Sequence, residues 1–245
     1  MIELPSAVIF DTDNTLYPYE PAHQAATKAV EAKVENHLGI KKDRFSIIFN
    51  NSKKEIKQLL GNTASSHSRL LYIQRTLENL GMKTKVLLTL DLEQTYWRTF
   101  LNNCKLFPGV LDFIYLLKSE GILMANITDL TAQIQFRKLV YFGLDEYFDY
   151  VVTSEEAGKD KPSNKPFELI LKKLQISPSK IWMIGDNSLN DMVGAERMGI
   201  NKIQKKHEGV KIITKGEGKP NLIFENYSEL KTIIENKSNY RALPT

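Results

Sequence analysis

Cys104 is the only cysteine in 245 residues, so no disulfide can form within the chain, and a reducing cytoplasm is the expected compartment. Long apolar runs are also missing. None approaches the ~20 residues that span a bilayer, and the N-terminus lacks the basic segment, apolar stretch and cleavage site of a signal peptide. A membrane is therefore not expected as a partner. Charge of one sign is in short supply: 33 Lys and Arg against 29 Asp and Glu leave a net +4, too little to imply nucleic-acid binding. The four histidines, His23, His37, His67 and His207, are far apart and lack metal-ligand spacing, so structural or surface roles are expected for each. There is no internal repeat and no low-complexity tract. What remains is an ordinary globular composition, 42% hydrophobic and 25% charged, long enough for one large domain or two modest ones. The sequence says nothing of oligomeric state.

The run Ala7-Val8-Ile9-Phe10 is apolar and β-prone, and it stops at Asp11 in a polar, turn-forming segment. Similar runs recur at Ile122 to Ile127, Tyr150 to Thr153, Ile181 to Ile184 and Asn201 to Gln204, with a candidate sixth at Asn221 to Phe224. Helical stretches separate them: Gly109 to Ser119, Ala132 to Phe142, Pro166 to Leu174, Leu189 to Met198 and Ser228 to Glu235. This alternation predicts an open, mostly parallel, Rossmann-like α/β sheet, with ligands beyond the carboxyl ends of the strands. The first strand lacks its immediate crossover. Residues 17–105 intervene instead, with helical faces at Ala22, Ala26, Val30 and Val34, at Leu70, Ile73, Leu77 and Leu80, and at Val86, Leu90 and Trp97. The reading is two units: an α/β core from 1–16 and 106–245, and a small all-helical cap of roughly four helices from 17–105. The insert holds 14 basic and eight acidic residues, so it is the basic part of the chain; a lysine-rich solvated surface accounts for this, and attraction of an anionic substrate would too. The polar tail from Asn236 to Thr245 is expected to be loosely held.

Four segments at successive strand ends carry the chemistry. Asp11-Thr12-Asp13-Asn14-Thr15 places two carboxylates two residues apart beyond a buried strand, a costly arrangement without a cation or a shared proton; an Asx turn is the simpler alternative. In Ile127-Thr128-Asp129 a hydroxyl and backbone N–H groups could hold a phosphate oxygen or merely cap a helix. Lys161, followed by Pro162, could neutralise a phosphoryl group, with Lys159 and Lys165 as nearby competitors. Gly185-Asp186-Asn187-Ser188-Leu189-Asn190-Asp191 supplies a tight turn, a carboxylate at a strand end and another in the next helix's first turns.

In this order, and with Phe107-Pro108-Gly109-Val110 between the first two, these segments resemble the haloacid dehalogenase-like hydrolase superfamily over nearly the whole chain, in its branch with a helical cap after the first strand. Asp129 departs from the asparagine common in the second motif, where backbone contacts to phosphate would survive. The resemblance implies a phosphomonoester hydrolase acting on a small phosphorylated metabolite (a nucleoside 5′-monophosphate, a sugar phosphate or a sugar-acid phosphate). Asp11 would be the nucleophile that forms an aspartyl-phosphate, and Asp13 the acid and base. Mg²⁺ would be held by Asp11, the Asp13 backbone carbonyl and Asp186. Thr128, Asp129 and Lys161 would hold the phosphate, and Asp191 would orient Lys161 or metal-bound water. Tyr17 and Arg69 are candidate cap or substrate contacts. Trp97 is expected to be core, and Cys104 a small buried residue. A dehalogenase would need neither Asp13 nor Mg²⁺; a phosphomutase or a non-catalytic phosphate-binding regulatory module are the further alternatives.

Overall fold

The computed structural model describes residues 3–241. Six parallel strands form one sheet in the order β3-β2-β1-β4-β5-β6: β1 (Ala7–Phe10), β2 (Leu123–Thr128), β3 (Tyr150–Thr153), β4 (Ile181–Gly185), β5 (Asn201–Lys205) and β6 (Leu222–Phe224). The chain leaves β1 toward β2 and β3, then crosses back to lay β4 on the other side of β1. The gap between β1 and β4 is thus the point where strand order reverses, the place where open α/β sheets bind ligands.

Between β1 and β2 stand α1 (Tyr19–Leu38), α2 (Lys42–Leu60), α3 (Arg69–Asn79) and α4 (Val86–Asn102), followed by α5 (Val110–Ser119). The core helices are α6 (Ala132–Tyr141), the short α7 (Ser154–Ala157), α8 (Asn164–Leu174), α9 (Val193–Arg197) and α10 (Tyr227–Arg241). Helix α10 runs into the polar tail as far as Arg241, and 242–245 lie outside the described residues. No helix among the described residues is long and apolar enough to cross a membrane.

All four residues of β1 are fully buried, and alternation along the strand divides them between the two faces of the sheet. Val8 and Phe10 join Met124, Trp182 and Ile184 in a large cluster that continues through Phe113 and Tyr227 into the buried residues of α1–α4. Ala7 and Ile9 join Ala125, Ile127, Met183, Phe167 and Ile170 on the opposite face. Helix α1 buries Ala22, Ala26, Val30 and Val34, as its spacing predicts. Helix α4 does not follow its predicted face. Val86 and Leu90 are exposed, while Thr89, Leu92, Tyr96, Trp97 and Phe100 are buried. Its first turns are apolar on nearly every side, so periodicity alone could not choose the buried stripe.

Candidate active site

Register builds the site. Phe10 lies opposite Asn126 on β2 and Ile184 on β4, so the residues that follow each strand meet at one rim. Asp11 is anchored there by its own N–H, which donates to the Ile184 carbonyl at 2.9 Å. Thr15, four residues on, donates its hydroxyl to Asp11 Oδ2 at 3.0 Å.

Lys161 reaches this rim and is buried, whereas Lys159 and Lys165 are exposed. Its Nζ donates to Asp11 Oδ1 at 2.6 Å, to Asp191 Oδ1 at 2.7 Å and to the Ile127 carbonyl at 3.2 Å. Burial works against the Lys161 ammonium, but the charges of Asp11, Asp191 and Asp129 outweigh it and hold the group well above its ordinary range. Asp129 fixes the backbone beside it: its Oδ1 accepts the Lys161 N–H at 3.0 Å. The carboxylate that replaces the usual asparagine therefore has a positioning contact of its own. Burial also pushes the Asp129 carboxyl up.

Asp191 arrives on a π-helical turn, Ser188–Met192, started by Asn187, whose side chain accepts from the N–H groups of Leu189 and Asn190. Such turns often occur at functional sites. Asp191 Oδ2 accepts the Asn187 N–H at 3.0 Å, so both its oxygens are engaged. Gly185 permits the close approach: a Cβ there would lie 2.4 Å from Asp191 Oδ2. Asp11, Asp186 and Asp191 bring one oxygen each within 4.8 Å of one another. Burial pushes the Asp11 carboxyl up to about 7, against the pull of Lys161 and with the push of Asp191. Burial, then the charges of Asp191 and Asp11, push Asp186 up to about 8. Raised carboxyls crowded this closely need protons or a cation, and a hard divalent cation with a preference for oxygen donors fits the set.

Asp13 has partners of its own. Lys138, on α6, donates to both its oxygens at 2.7 and 2.9 Å, and Tyr17 donates its hydroxyl to Oδ1. Burial tends to raise the Asp13 carboxyl, but Lys138 and Tyr17 prevail and hold it below the usual range. The Lys138 side chain is 1% exposed and lies over the rings of Tyr17, Trp97 and Phe100 at 5.6–5.9 Å. Sequence reasoning missed this lysine. The available signal was its position on the buried stripe of α6 with Ile134 and Leu139. Tyr17, a candidate cap or substrate contact for which packing is the simpler role, is wholly buried against Phe100 and Phe142.

Two cavities adjoin. One of about 180 Å³ is lined by Asp11, Asp13, Thr128, Lys161, Asp186 and Asp191, among others. The other, of about 230 Å³, shares Asp13, Asn14 and Asp129 with it and extends past Tyr19, His67, Arg69, Trp97 and Lys138. Trp97 is thus both packed and chamber-lining. The segment between α2 and α3 approaches the chain beside Lys161, where His67 Nε2 lies 3.0 Å from Asp160 Oδ2. Cys104 is buried, as expected.

Residues 8–205 match the haloacid dehalogenase-like hydrolase family. The chain is 37% identical over 202 residues to a ribulose-1,5-bisphosphate 5-phosphatase of Halopiger xanaduensis, covering 82% of this chain and 84% of the relative. It is 29% identical over 195 residues to a glyceraldehyde 3-phosphate phosphatase of Methanopyrus kandleri, covering 79% and 81%. Among solved structures, the hydrolase YfnB of Bacillus subtilis, bound to magnesium, superposes with a TM-score of 0.69 at 19% identity over 95% of this chain and 99% of that one.

Proposed function

Because the chain belongs to the haloacid dehalogenase-like hydrolases, we propose that it is a phosphatase that hydrolyses a small sugar phosphate through an aspartyl-phosphate on Asp11. The observation that carries this reading is the buried Asp11–Lys161–Asp191 arrangement at the switch point of the sheet. It presents one nucleophilic carboxylate beside one fixed cation. The relatives' names point to sugar phosphates and narrow the wider class of phosphorylated metabolites expected from sequence.

Asp11 attacks phosphorus in line with the ester oxygen. The Asp11 O–P bond forms as the P–O bond to the sugar breaks, and the departing oxygen takes a proton through Asp13, which must first gain one from water because Lys138 and Tyr17 otherwise hold it as a carboxylate. Water then attacks the acyl phosphate, Asp13 takes a proton from that water, and the Asp11 O–P bond breaks to release phosphate. Lys138 and Tyr17 hold Asp13 as a carboxylate, the form that this second step uses. Thr128 and Lys161 line the cavity where the phosphoryl oxygens would sit. Asp191 holds Lys161 in place. Asp11, Asp186 and the Asp13 carbonyl would be the ligands of Mg²⁺. Bound there, Mg²⁺ would offset the negative charge of these carboxylates and of the phosphoryl group.

The test is phosphate release from a panel of sugar phosphates, nucleotides and an aryl phosphate, with Mg²⁺ and with excess chelator. Release with Mg²⁺ that stops under chelation is expected. Absence of release from every compound would overturn the phosphatase reading, and full-rate release in chelator would overturn the metal assignment.

A further inference from the structure

The 230 Å³ chamber begins at Asp13, the residue that would protonate the leaving oxygen, and leads into the cap. Its contents therefore bear on the leaving group rather than on the phosphoryl group. Three cations matter in this region. Lys161 is matched by Asp11 and Asp191, and Lys138 by Asp13. Arg69 differs: the carboxylate that feels its charge is Asp13, which Lys138 already matches, and no ion pair joins Arg69 to it. Its Nη1 donates to the His67 carbonyl at 2.6 Å and its Nη2 to the Tyr19 hydroxyl. The Tyr96 hydroxyl is a further uncharged partner. The guanidinium also packs on Tyr72, Tyr96 and Trp97, with ring centroids 5.4–5.6 Å away. Among the described residues, no carboxylate makes an ion pair with it.

Arg69 is half-buried, and a partly desolvated cation without an ion-pair partner is costly, a cost that ring faces and neutral acceptors offset only in part. The field of the unmatched charge shows in its neighbours. Burial, then Arg69 and Lys53, press His23 down to about 4. Burial, then Arg69 and Lys57, lower Lys53. A guanidinium held rigidly by its ring contacts and two hydrogen bonds is preorganised for an incoming anion and loses little freedom on binding it.

We infer that Arg69 is the anchor of a second anion-binding subsite, one that selects a sugar phosphate whose leaving group itself carries an anionic group, phosphate or carboxylate, remote from the ester that is cleaved. This rests on the phosphatase reading above and specifies its substrate class. A substrate with a neutral leaving group would leave Arg69 unmatched and gain nothing from it.

The experiment compares kcat/KM for four compounds with Mg²⁺: a pentulose bisphosphate, the matching pentulose monophosphate, 3-phosphoglycerate and p-nitrophenyl phosphate. Each is measured with the parent chain, Arg69→Gln and Arg69→Lys. A charge-assisted contact predicts that the parent favours the doubly anionic compounds over the monophosphate by about ten- to a hundredfold. Whether the bisphosphate or the phospho-acid leads identifies the anion. Arg69→Gln should collapse the preference toward unity, chiefly through KM, and Arg69→Lys should restore part of it. A parent without the preference overturns the subsite and needs no variant to do so. So does a loss in Arg69→Gln that is equal for all four compounds, since a packing role alone would act in that way. Failure of the phosphatase reading is distinct: the parent would then release phosphate from none of the four, the aryl ester included.

Discussion

Replacing Lys138 with Met removes a charge that the structure holds almost entirely away from water. Removing one partner of a buried ion pair costs about 3–5 kcal/mol when the other stays buried. The carboxylate left behind here is Asp13, whose side chain is 34% exposed against 1% for Lys138, so it recovers much of its hydration. Met fills most of the space over Tyr17, Trp97 and Phe100. The expected loss for Lys138→Met is therefore smaller, about 1–3 kcal/mol. The reverse change, Asp13→Asn, strands the fully buried ammonium and should cost more, about 3–5 kcal/mol. The double variant removes both charges and should recover part of the sum, a coupling of about 1–3 kcal/mol in a double-mutant cycle.

The assay is denaturant unfolding of the four proteins, repeated from pH 7 to pH 3. Asp13 is held below the ordinary carboxyl value of 3.8. A depressed carboxyl contributes stability that is present above its unfolded pKa and is lost as pH falls through its folded pKa. The gap between parent and Lys138→Met should then be widest near neutrality and narrow below about pH 4. Two strictly additive single variants, or a gap unchanged at pH 3, would refute the claim that Lys138 is what holds Asp13 ionised.

Two further outcomes follow from the same geometry. Asp11→Asn should abolish turnover and leave no phosphoenzyme, whereas Asp13→Asn should slow hydrolysis of a sugar phosphate by about 10²–10⁴-fold yet still phosphorylate Asp11 from a nitrophenyl ester, whose leaving group needs no proton; rapid acid quench that found both esters phosphorylating Asp11 at parent rates would remove Asp13 from the acid role. In metal-free protein the raised carboxyls of Asp11 and Asp186, about 7 and about 8, bind protons more tightly folded than unfolded, so thermal stability should fall as pH rises from about 4 to about 8, and Mg²⁺ should restore it most at the upper end; a melting temperature that rose across that range would contradict the assignment.

The core was legible because buried parallel strands leave continuous apolar runs, and each run ended in a polar segment that the register then brings to one rim. Ala7 to Phe10 and Tyr150 to Thr153 end where expected, and β2, β4 and β5 differ by single residues. Asp11, Thr128, Lys161, Asp186 and Asp191 were visible for the same reason, since each follows a strand or its loop. Lys138 was not, because a lysine on a helix reads as solvated unless tertiary packing is known, and its partner lies 125 positions away. For Tyr17 packing was the simpler role, but its partners were not legible: Phe100 of α4 and Phe142, just after α6, become its neighbours only in three dimensions.

Charge matching ties these pieces together. At the nucleophile end, Asp11 and Asp191 share Lys161 while Asp186 has no cation in contact among the described ion pairs, so this end has spare negative charge and room for a divalent cation. On the Arg69 side, Asp13 is matched by Lys138 while Arg69 makes no ion pair among the described residues, so this side has positive charge to spare and room for an anion. The two imbalances have opposite sign, and the cavities that hold them share Asp13. A neutral ligand would correct neither. A phosphoester with a metal at its reacting phosphate and a second anion at its far end would correct both. On the proposed reading a substrate lies with its phosphoryl group toward Asp11 and Lys161, its ester oxygen at Asp13 and its remote charge at Arg69.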